Sequence, residues 1–271
     1  MLATKHGKLL CIAPALEQAG LGVDTVAVDT DLLGTFTGDV PRTAPPLETA
    51  VAKARLGMSA TGNPIGLASE GSIGAHPAAP WMTVDREIVV LVDDERGITV
   101  AGFAASWELR AVARTVHPGD DLSRLLADAD IPAHALIVAP NAGSPEPVRK
   151  GLRRPSEIAT AVKLCSASSP DGAAQVQTDL RAHVCPSRQR VIRAAAEDLA
   201  ARLRTRCPVC GSPGWGRTDV VRGVPCRWCA TQIDLVRAEI DSCPACEHRE
   251  ERPIVPHTTT GDPGQCARCN P

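Results

Sequence analysis

The sequence predicts an α/β domain followed by a C-terminal cysteine-rich module of tandem zinc ribbons. Aliphatic runs at residues 87–92 and 135–138 have the character of buried strands, and apolar residues recur at helical spacing between them. Eight of the eleven cysteines lie after position 206. We therefore predict an α/β domain over residues 1–204, which could bind a nucleotide or phosphate, and a zinc-ribbon module over residues 205–271.

Turn-forming residues separate the predicted strands. Residues 93–97 lie between the first aliphatic run and a second at 98–103, which predicts a β-hairpin. A short strand is expected at the start of the chain, and whether Met1 is the native first residue stays open. Helices are predicted at residues 48–59, 121–128, 155–164 and 186–204, the last linking the domain to the tail.

Composition excludes several functional classes. With two Phe, four Trp and no Tyr, the chain lacks the aromatic platforms that stack single-stranded nucleic acid. A net charge of −2 gives no general attraction to DNA or to an anionic membrane. No apolar stretch suits a membrane span or a signal peptide. We therefore expect a cytoplasmic protein, whose cysteines are more often metal ligands than disulfides.

Four Cys-x-x-Cys pairs occupy the predicted tail. Two residues between the cysteines let one tight turn direct both sulfurs to a common point, and four thiolates satisfy tetrahedral Zn²⁺. Gaps of 15 residues between the first two pairs and 19 between the last two match four-cysteine sites. Interleaved pairs would also close two sites, and redox dithiols are the alternative chemistry. The predicted ligands of two structural zinc ions are Cys207, Cys210, Cys226, Cys229, Cys243, Cys246, Cys266 and Cys269.

The tail is not expected to bind nucleic acid. Residues 207–271 contain seven Arg and no Lys against eight Asp and Glu, and four thiolates on each zinc add further negative charge. The better interpretation is that the tail stabilises the fold through its metal sites or offers a surface to a protein partner. His248 and His257 are spare metal donors, and Trp215 and Trp228 are expected to pack over the ribbon core.

Two loops of the α/β part have the composition of anion sites. Residues 3–8 follow the opening strand and offer Thr4, Lys8 and backbone N–H groups to a phosphate, although a solvated turn is the alternative. Residues 29–39 place acids and hydroxyls among glycines, which suits a metal–phosphate site or a capped loop equally.

Two further segments carry acids suited to a magnesium site. Glu48 and Lys53 are five residues apart on a predicted helix, a spacing that is poor for a salt bridge and better for reaching different parts of one ligand. Glu70 is expected at a strand end, in a flexible loop within residues 68–77. Acids in such loops commonly hold Mg²⁺.

Basic side chains gather near the start of the last predicted helix. Arg181, His183 and Arg188 lie within eight residues of one another, and at a helix N-terminus they suit an anion clamp. Taken singly, each of these polar segments has a plain structural explanation. Together they supply acids for a metal and bases for phosphates within one domain.

The chain resembles a bacterial family of unknown function in its polar segments and its cysteine tail. Its first 75 residues are also similar to the house-cleaning pyrophosphatases that act on inosine and xanthosine triphosphates. Thr4 and Lys8 correspond to the phosphate loop of those enzymes. Residues 48–54 match their Glu-Asn-Ala-x-x-Lys-Ala motif except at the Asn, and residues 69–73 stand where they have an acidic strand end. Their late Ser-His-Arg segment is loosely echoed by residues 181–183.

The second resemblance implies a Mg²⁺-dependent nucleoside triphosphate pyrophosphatase or a related phosphate-ester hydrolase. Glu48 and Glu70 would coordinate Mg²⁺, and Thr4, Lys8 and Lys53 would hold the triphosphate. Water activated by the metal would attack the α-phosphorus, giving a monophosphate and pyrophosphate. The sequence departs from these enzymes in having a single acid where one branch has two, and in lacking the Glu that follows their phosphate loop.

Three functional classes therefore stand beside each other. The first is this hydrolase. The second is a non-catalytic nucleotide or anion sensor whose zinc ribbons bind a protein partner. The third, a nucleic-acid-associated zinc protein, is disfavoured by the acidic tail and the scarce aromatics. Catalysis needs the charge of Glu70, whereas a sensor could lose that charge and keep its affinity.

Overall fold

The computed structural model of the chain describes residues 1–4, 7–29, 44–76, 79–254 and 260–271. Its helices are α1 (Leu9–Glu17), α2 (Pro46–Thr61), α3 (Ser123–Asp128), α4 (Pro155–Ala167) and α5 (Pro186–Arg204). Its strands are β1 (Leu2–Ala3), β2 (Thr25–Val26), β3 (Ile65–His76), β4 (Ala79–Asp93), β5 (Ile98–Ser106), β6 (Ala113–Val116), β7 (Leu136–Pro140), β8 (Arg149–Leu152), β9 (Ala174–Thr178), β10 (Gly216–Pro225), β11 (Gln232–Ser242) and β12 (Arg249–Pro253). The predicted mixture of helices and strands is confirmed.

The first sheet has the strand order β2-β1-β3-β4-β5. β1 is parallel to both of its neighbours, with Leu2 paired to Leu67, while β3, β4 and β5 form a long antiparallel meander. Because successive side chains on a strand point to opposite faces, Leu67 and Val89 pack toward α1 and α5, whereas Ala68 and Val90 pack toward α2. Each face of the sheet therefore has an aliphatic core of its own.

A second sheet, with the order β6-β9-β7-β8, lies between β5 and α5 along the chain. All of its strand pairs are antiparallel. Its core joins Leu136, Val138 and Val176 of the strands to Ile158 and Val162 of α4. The chain then returns to the first sheet through α5, whose buried residues pack on β4 and β5.

His134 connects the second sheet to the start of α5. Its Nε2 atom accepts the backbone N–H of Ser187 at 3.1 Å, and its Nδ1 atom lies 3.1 Å from a carboxylate oxygen of Asp130. Burial lowers the pKa of His134, which favours the neutral imidazole that can accept this bond. His134 therefore satisfies one of the N–H groups that the first turn of a helix leaves open.

The cysteine tail follows α5 and contains the antiparallel sheet β10-β11-β12. Arg202, in the last turn of α5, donates to the carbonyl oxygens of Ala101 at 2.5 Å and Gly214 at 3.1 Å. Gly214 has a φ of +101° and lies so close to Val100 that a β-carbon there would collide with its side chain. The tail therefore contacts β5 and α5, while the division into two domains at residue 204 stays a prediction.

The predicted helices and the strands around residues 87–103 and 135–138 are confirmed. The predicted loop around Glu70 is wrong, because β3 continues without interruption to His76. Its glycines suggested a turn, but Gly71 lies opposite Glu87 on β4. A β-carbon at Gly71 would collide with the carboxylate of Glu87 and the guanidinium of Arg188. The glycine makes room for an ion pair rather than for a turn.

Candidate functional site

The eight tail cysteines form two groups of four, and in each group the sulfur atoms lie within 4.8 Å of one another. Sulfur–sulfur distances of 3.5 Å between Cys210 and Cys243 and 3.8 Å between Cys207 and Cys246 are near the ~3.8 Å that tetrahedral ligation at ~2.3 Å requires. Each group could therefore hold one zinc ion. The groups are Cys207, Cys210, Cys243 and Cys246, and Cys226, Cys229, Cys266 and Cys269.

The pairs are interleaved, and strand topology explains why. The second pair forms the turn between the antiparallel strands β10 and β11, so the first and third pairs meet at the other end of this hairpin. The fourth pair returns to the second, assisted by hydrogen bonds between Gly261 and residues Pro225 and Arg227. Sequence spacing alone had left both pairings open. The two candidate metal centres consequently lie at opposite ends of the hairpin.

Backbone geometry in these turns prepares the thiolates for a metal. The sulfur of Cys207 accepts the N–H of Val209 at 3.5 Å, and that of Cys243 accepts the N–H of Ala245 at 3.3 Å. Hydrogen bonds from the hydroxyl and N–H of Thr231 lower the pKa of Cys229 to about 6. Stabilising the thiolate in this way favours metal binding, because the thiolate is the form that coordinates.

The aromatic and imidazole side chains of the tail take other roles. The ring of Trp215 stacks on His248, with centroids 5.1 Å apart, and the Nε2 atom of His248 lies 3.0 Å from a Glu250 oxygen. The expectation that Trp228 covers the ribbon core is wrong, since it is 73% exposed on the distal Cys-x-x-Cys turn. His257 lies outside the described residues.

The predicted phosphate loop, residues 3–8, lies at the point in the first sheet where successive crossover helices change from one face to the other. The crossover from β1 to β2 runs through α1 on one face, and the crossover from β2 to β3 runs through α2 on the other. A crevice forms outside the carboxyl end of a strand at such a switch point, and ligands of α/β proteins commonly bind there. Thr4 and Lys8 flank this crevice, while Lys5 and His6 lie outside the described residues. We refer to it as the β1 crevice.

Lys8 reaches from the β1 crevice to the neighbouring strand. Its ammonium donates to the Ser69 hydroxyl at 2.9 Å, at the level where β1 has ended and β3 continues. Burial lowers the pKa of Lys8 to about 8, with the neighbouring charges of Glu87 and Arg188 acting in opposite directions. At neutral pH the side chain is therefore mostly charged, and it loses its proton just above that range.

The predicted magnesium ligands Glu48 and Glu70 differ in their surroundings. Glu70 is buried and its carboxylate accepts from the Lys53 ammonium at 2.6 Å, in a pair that is almost wholly shielded from water. Glu48 lies exposed in the first turn of α2. Among the described residues, no group of three or more His, Cys, Asp or Glu includes Glu48 or Glu70. Their role as magnesium ligands stays a prediction.

A second buried ion pair occupies the opposite face of the same strands. The Nε atom of Arg188 donates to Glu87 at 2.6 Å, and another guanidinium nitrogen donates to the Leu180 carbonyl at 2.7 Å. Asp85 is on the same face of β4, and burial together with the charge of Glu87 raises its pKa to about 7. Sequence reasoning missed these two acids, although their i, i+2 spacing ahead of the aliphatic run at 88–92 placed them on one strand face.

The remaining predicted anion-binding residues, Arg181 and His183, have different surroundings. Arg181 donates through two nitrogens to the buried carboxylate of Asp179, at 2.5 and 2.9 Å, so its charge is largely engaged. His183 is exposed and lies beside Gly7. A β-carbon built on Gly7 would be 3.9 Å from the β-carbon of His183. Partial desolvation of its ring, together with the charge of Arg181, lowers the pKa of His183. Of the predicted segment over residues 29–39, only Asp29 belongs to the described residues.

Comparisons with known proteins establish the family of the chain but no activity. A family model described as a domain of unknown function, DUF6671, matches residues 53–271, so the chain belongs to that family. No curated protein and no solved structure matches the chain. The expected family of unknown function is thus confirmed, while the similarity to inosine triphosphate pyrophosphatases gains no support. Among the described residues, no helix is long and apolar enough to cross a membrane.

Proposed function

We propose that this member of the DUF6671 family binds a phosphorylated small molecule in the β1 crevice, with nucleoside triphosphates as the first candidates. One observation carries the proposal: Lys8 and Lys53 contact consecutive residues of β3, Ser69 and Glu70, from the two faces of the sheet at its switch point. Lys8 offers its ammonium to a phosphate directly, and Lys53, which is paired with Glu70, adds positive charge on the other side of the strand.

The charge balance around the crevice favours an anion. Lys8, Lys53 and Arg188 provide three positive charges, against the carboxylates of Glu70 and Glu87. Asp85 would cancel the excess, but a pKa of about 7 keeps much of it protonated at and below neutral pH. These six groups together thus carry a net positive charge, which a bound phosphate would neutralise.

Binding is better supported than hydrolysis. Glu70 is engaged by Lys53, Glu48 is exposed, and no third acid joins them in the described residues. Among the described residues, these donors do not complete a Mg²⁺ site. We therefore place the sensor or adaptor function first and the pyrophosphatase second.

Two zinc ions are proposed to hold the tail, since four thiolates at these sulfur–sulfur distances suit Zn²⁺ best. A protein partner of the tail is a further proposal. Its support is that Val209 and Trp228, inside two of the Cys-x-x-Cys turns, are 67% and 73% exposed. Neither side chain contributes to the apolar clusters of the described residues.

Calorimetry with inorganic triphosphate and with GTP tests the binding function. Lys8→Ala is expected to weaken both ligands at least about tenfold, because a charge-assisted hydrogen bond contributes roughly 1.5–3 kcal/mol. Lys163→Ala, which removes an exposed lysine of α4, is the matched control and should leave both affinities unchanged. Equal affinities in the wild type and Lys8→Ala would contradict the proposal.

An assay of pyrophosphate release decides between the sensor and the enzyme. Pyrophosphate release from GTP, ITP or XTP with Mg²⁺ that is lost in Glu70→Gln would establish the enzyme. Binding without release would establish the sensor.

A further inference from the structure

A second pocket, distinct from the β1 crevice, lies on the α2 face of the first sheet. It has a volume of about 320 Å³. Ile88 and Phe103, a cross-strand pair, are among its lining residues, with Pro46 of α2 and Arg217 of β10. This volume is at the lower end of the range for small-molecule sites. We call it the Arg86 pocket, after the cation described next.

Arg86 is the feature that points to a ligand. It lies between Ser72 on β3 and Ala105 on β5, and all three line the pocket. Its side chain is half-buried, yet it makes no hydrogen bond or ion pair with any described residue. The neighbouring cations Lys53 and Arg188 each have a carboxylate at 2.6 Å. A partly desolvated guanidinium without a counter-ion is costly, and an anionic ligand would remove that cost.

The rest of the lining defines what such an anion would carry. The other charged lining residues are Arg217, which also pairs with Glu239 at 3.1 Å, and Glu87, whose carboxylate is paired with Arg188 at 2.6 Å. Apolar area makes up most of the lining, and the ring of Phe103 is 37% exposed. A ligand with one anionic group and a planar apolar body matches both the cationic and the apolar lining of the pocket.

We propose that the Arg86 pocket binds a planar organic anion, a carboxylate or phosphate monoester attached to a ring. The anionic group pairs with Arg86 and with the hydroxyl of Ser72, and the ring lies against Phe103 and Ile88. Lys8 and Lys53 take no part in this site. Because Arg217 belongs to β10, the cysteine tail forms part of its wall.

The probe for this site is anilinonaphthalene sulfonate, an aromatic anion whose fluorescence rises in apolar surroundings. Its neutral counterpart is phenylnaphthylamine, which has the same ring system without the charge. Titration of the zinc-loaded full chain is expected to give one saturable site for the anion. Arg86→Gln should weaken the anion at least about tenfold and the neutral probe less than twofold, because only the charge-assisted bond is lost.

Two control variants locate the probe. Arg55→Gln removes an exposed arginine of α2 that pairs with Asp94, and it should leave both affinities unchanged. Lys8→Ala should also leave the sulfonate affinity unchanged. A sulfonate affinity that falls in Lys8→Ala as far as in Arg86→Gln would place the probe in the β1 crevice and overturn the proposal. An unsaturable titration, or equal affinities in the wild type and a folded Arg86→Gln, would overturn it as well.

Competition on the wild-type chain keeps the test decisive where Arg86→Gln fails to fold, which circular dichroism would reveal. Benzoate and phenyl phosphate are expected to displace the sulfonate, and the stronger competitor identifies whether the natural anion is a carboxylate or a phosphate. Benzyl alcohol, with the same ring and no charge, should displace it at least about tenfold less well. Displacement by all three alike, or by none, would contradict an anion site at Arg86.

Discussion

The first sheet and the cysteine tail are stabilised in different ways. The sheet buries two aliphatic clusters, one on each face, and fits two ion pairs beside them. In the described part of the tail, the buried members of the single apolar cluster are Ile233 and two cysteines. A segment of this size with so little apolar burial needs another source of stability. The difference supports our proposal that metal ligation determines the fold of the tail, whereas packing determines that of the sheet.

Removing the metal should produce the largest effect and the sharpest contrast between the two regions. Zinc contributes on the order of 10 kcal/mol or more to comparable small domains, so chelation is expected to unfold the tail and leave the first sheet folded. Hydrogen exchange with and without a strong chelator measures both regions in one sample. Protection that persists in β10 and β11 without metal would contradict a fold of the tail that depends on metal.

Double substitutions test the interleaved pairing of the cysteines. Cys207→Ser with Cys243→Ser removes two ligands from one group and should leave one zinc per chain, because the other group keeps all four. Cys207→Ser with Cys226→Ser takes one ligand from each group and should reduce the metal content toward zero. Zinc counted by mass spectrometry decides, and the reverse result would indicate sequential pairing.

In the sheet, breaking the Lys53–Glu70 pair should have the next largest effect. Lys53→Met leaves a buried carboxylate without its lysine, which is expected to cost about 3–5 kcal/mol of unfolding free energy. The double variant Lys53→Met with Glu70→Leu should recover most of the loss, since an apolar pair of similar size is often neutral. Arg55→Met breaks an exposed pair and should cost under about 1 kcal/mol. Urea melts of the three variants provide the test.

Asp85→Asn should give a smaller effect of opposite sign. The folded-state pKa of about 7 lies above the ordinary 3.8, so stability is lost as the pH rises from about 4 to about 7 and stays lost above it. Asn cannot ionise, and the variant should therefore be more stable at pH 8 by roughly 1–3 kcal/mol and nearly unchanged at pH 4. Thermal melts at both pH values measure this difference, and a destabilised variant at pH 8 would contradict the assignment.

Local patterns predicted much of the fold, and long-range contacts explain what they missed. The run at residues 87–92 and the helix from Pro186 to Arg204 follow from periodicity, and the structure confirms both. The strand through Glu70 depends on Lys53, 17 residues earlier, and on the Glu87–Arg188 pair, whose members are 101 residues apart. No local pattern encodes such pairings.

The same contrast holds for the candidate sites. All eight cysteines were identified from spacing, because a Cys-x-x-Cys turn is a local feature. Which pairs combine depends on the antiparallel pairing of β10 with β11, which spacing does not determine. Lys8 and Lys53 were predicted as phosphate ligands from a resemblance, and Lys8 also from the composition of its loop, whereas Arg86 carried no sequence signal. Its position beside Ser72 and Ala105 depends on the register of three strands.

Phosphate binding at the β1 crevice is tested by the affinity for inorganic triphosphate, compared between pH 6.5 and pH 9 in the wild type and in Lys8→Ala. Over this range Lys8, with a pKa of about 8, loses its charge, and Asp85, with a pKa of about 7, gains one. Between pH 6.5 and pH 9 the affinity is expected to fall at least about tenfold more in the wild type than in Lys8→Ala. Because the ligand titrates identically in both experiments, its own pH dependence cancels in the ratio of the two affinity changes. No binding at pH 6.5, or the same pH dependence in both proteins, would contradict a phosphate site at the β1 crevice.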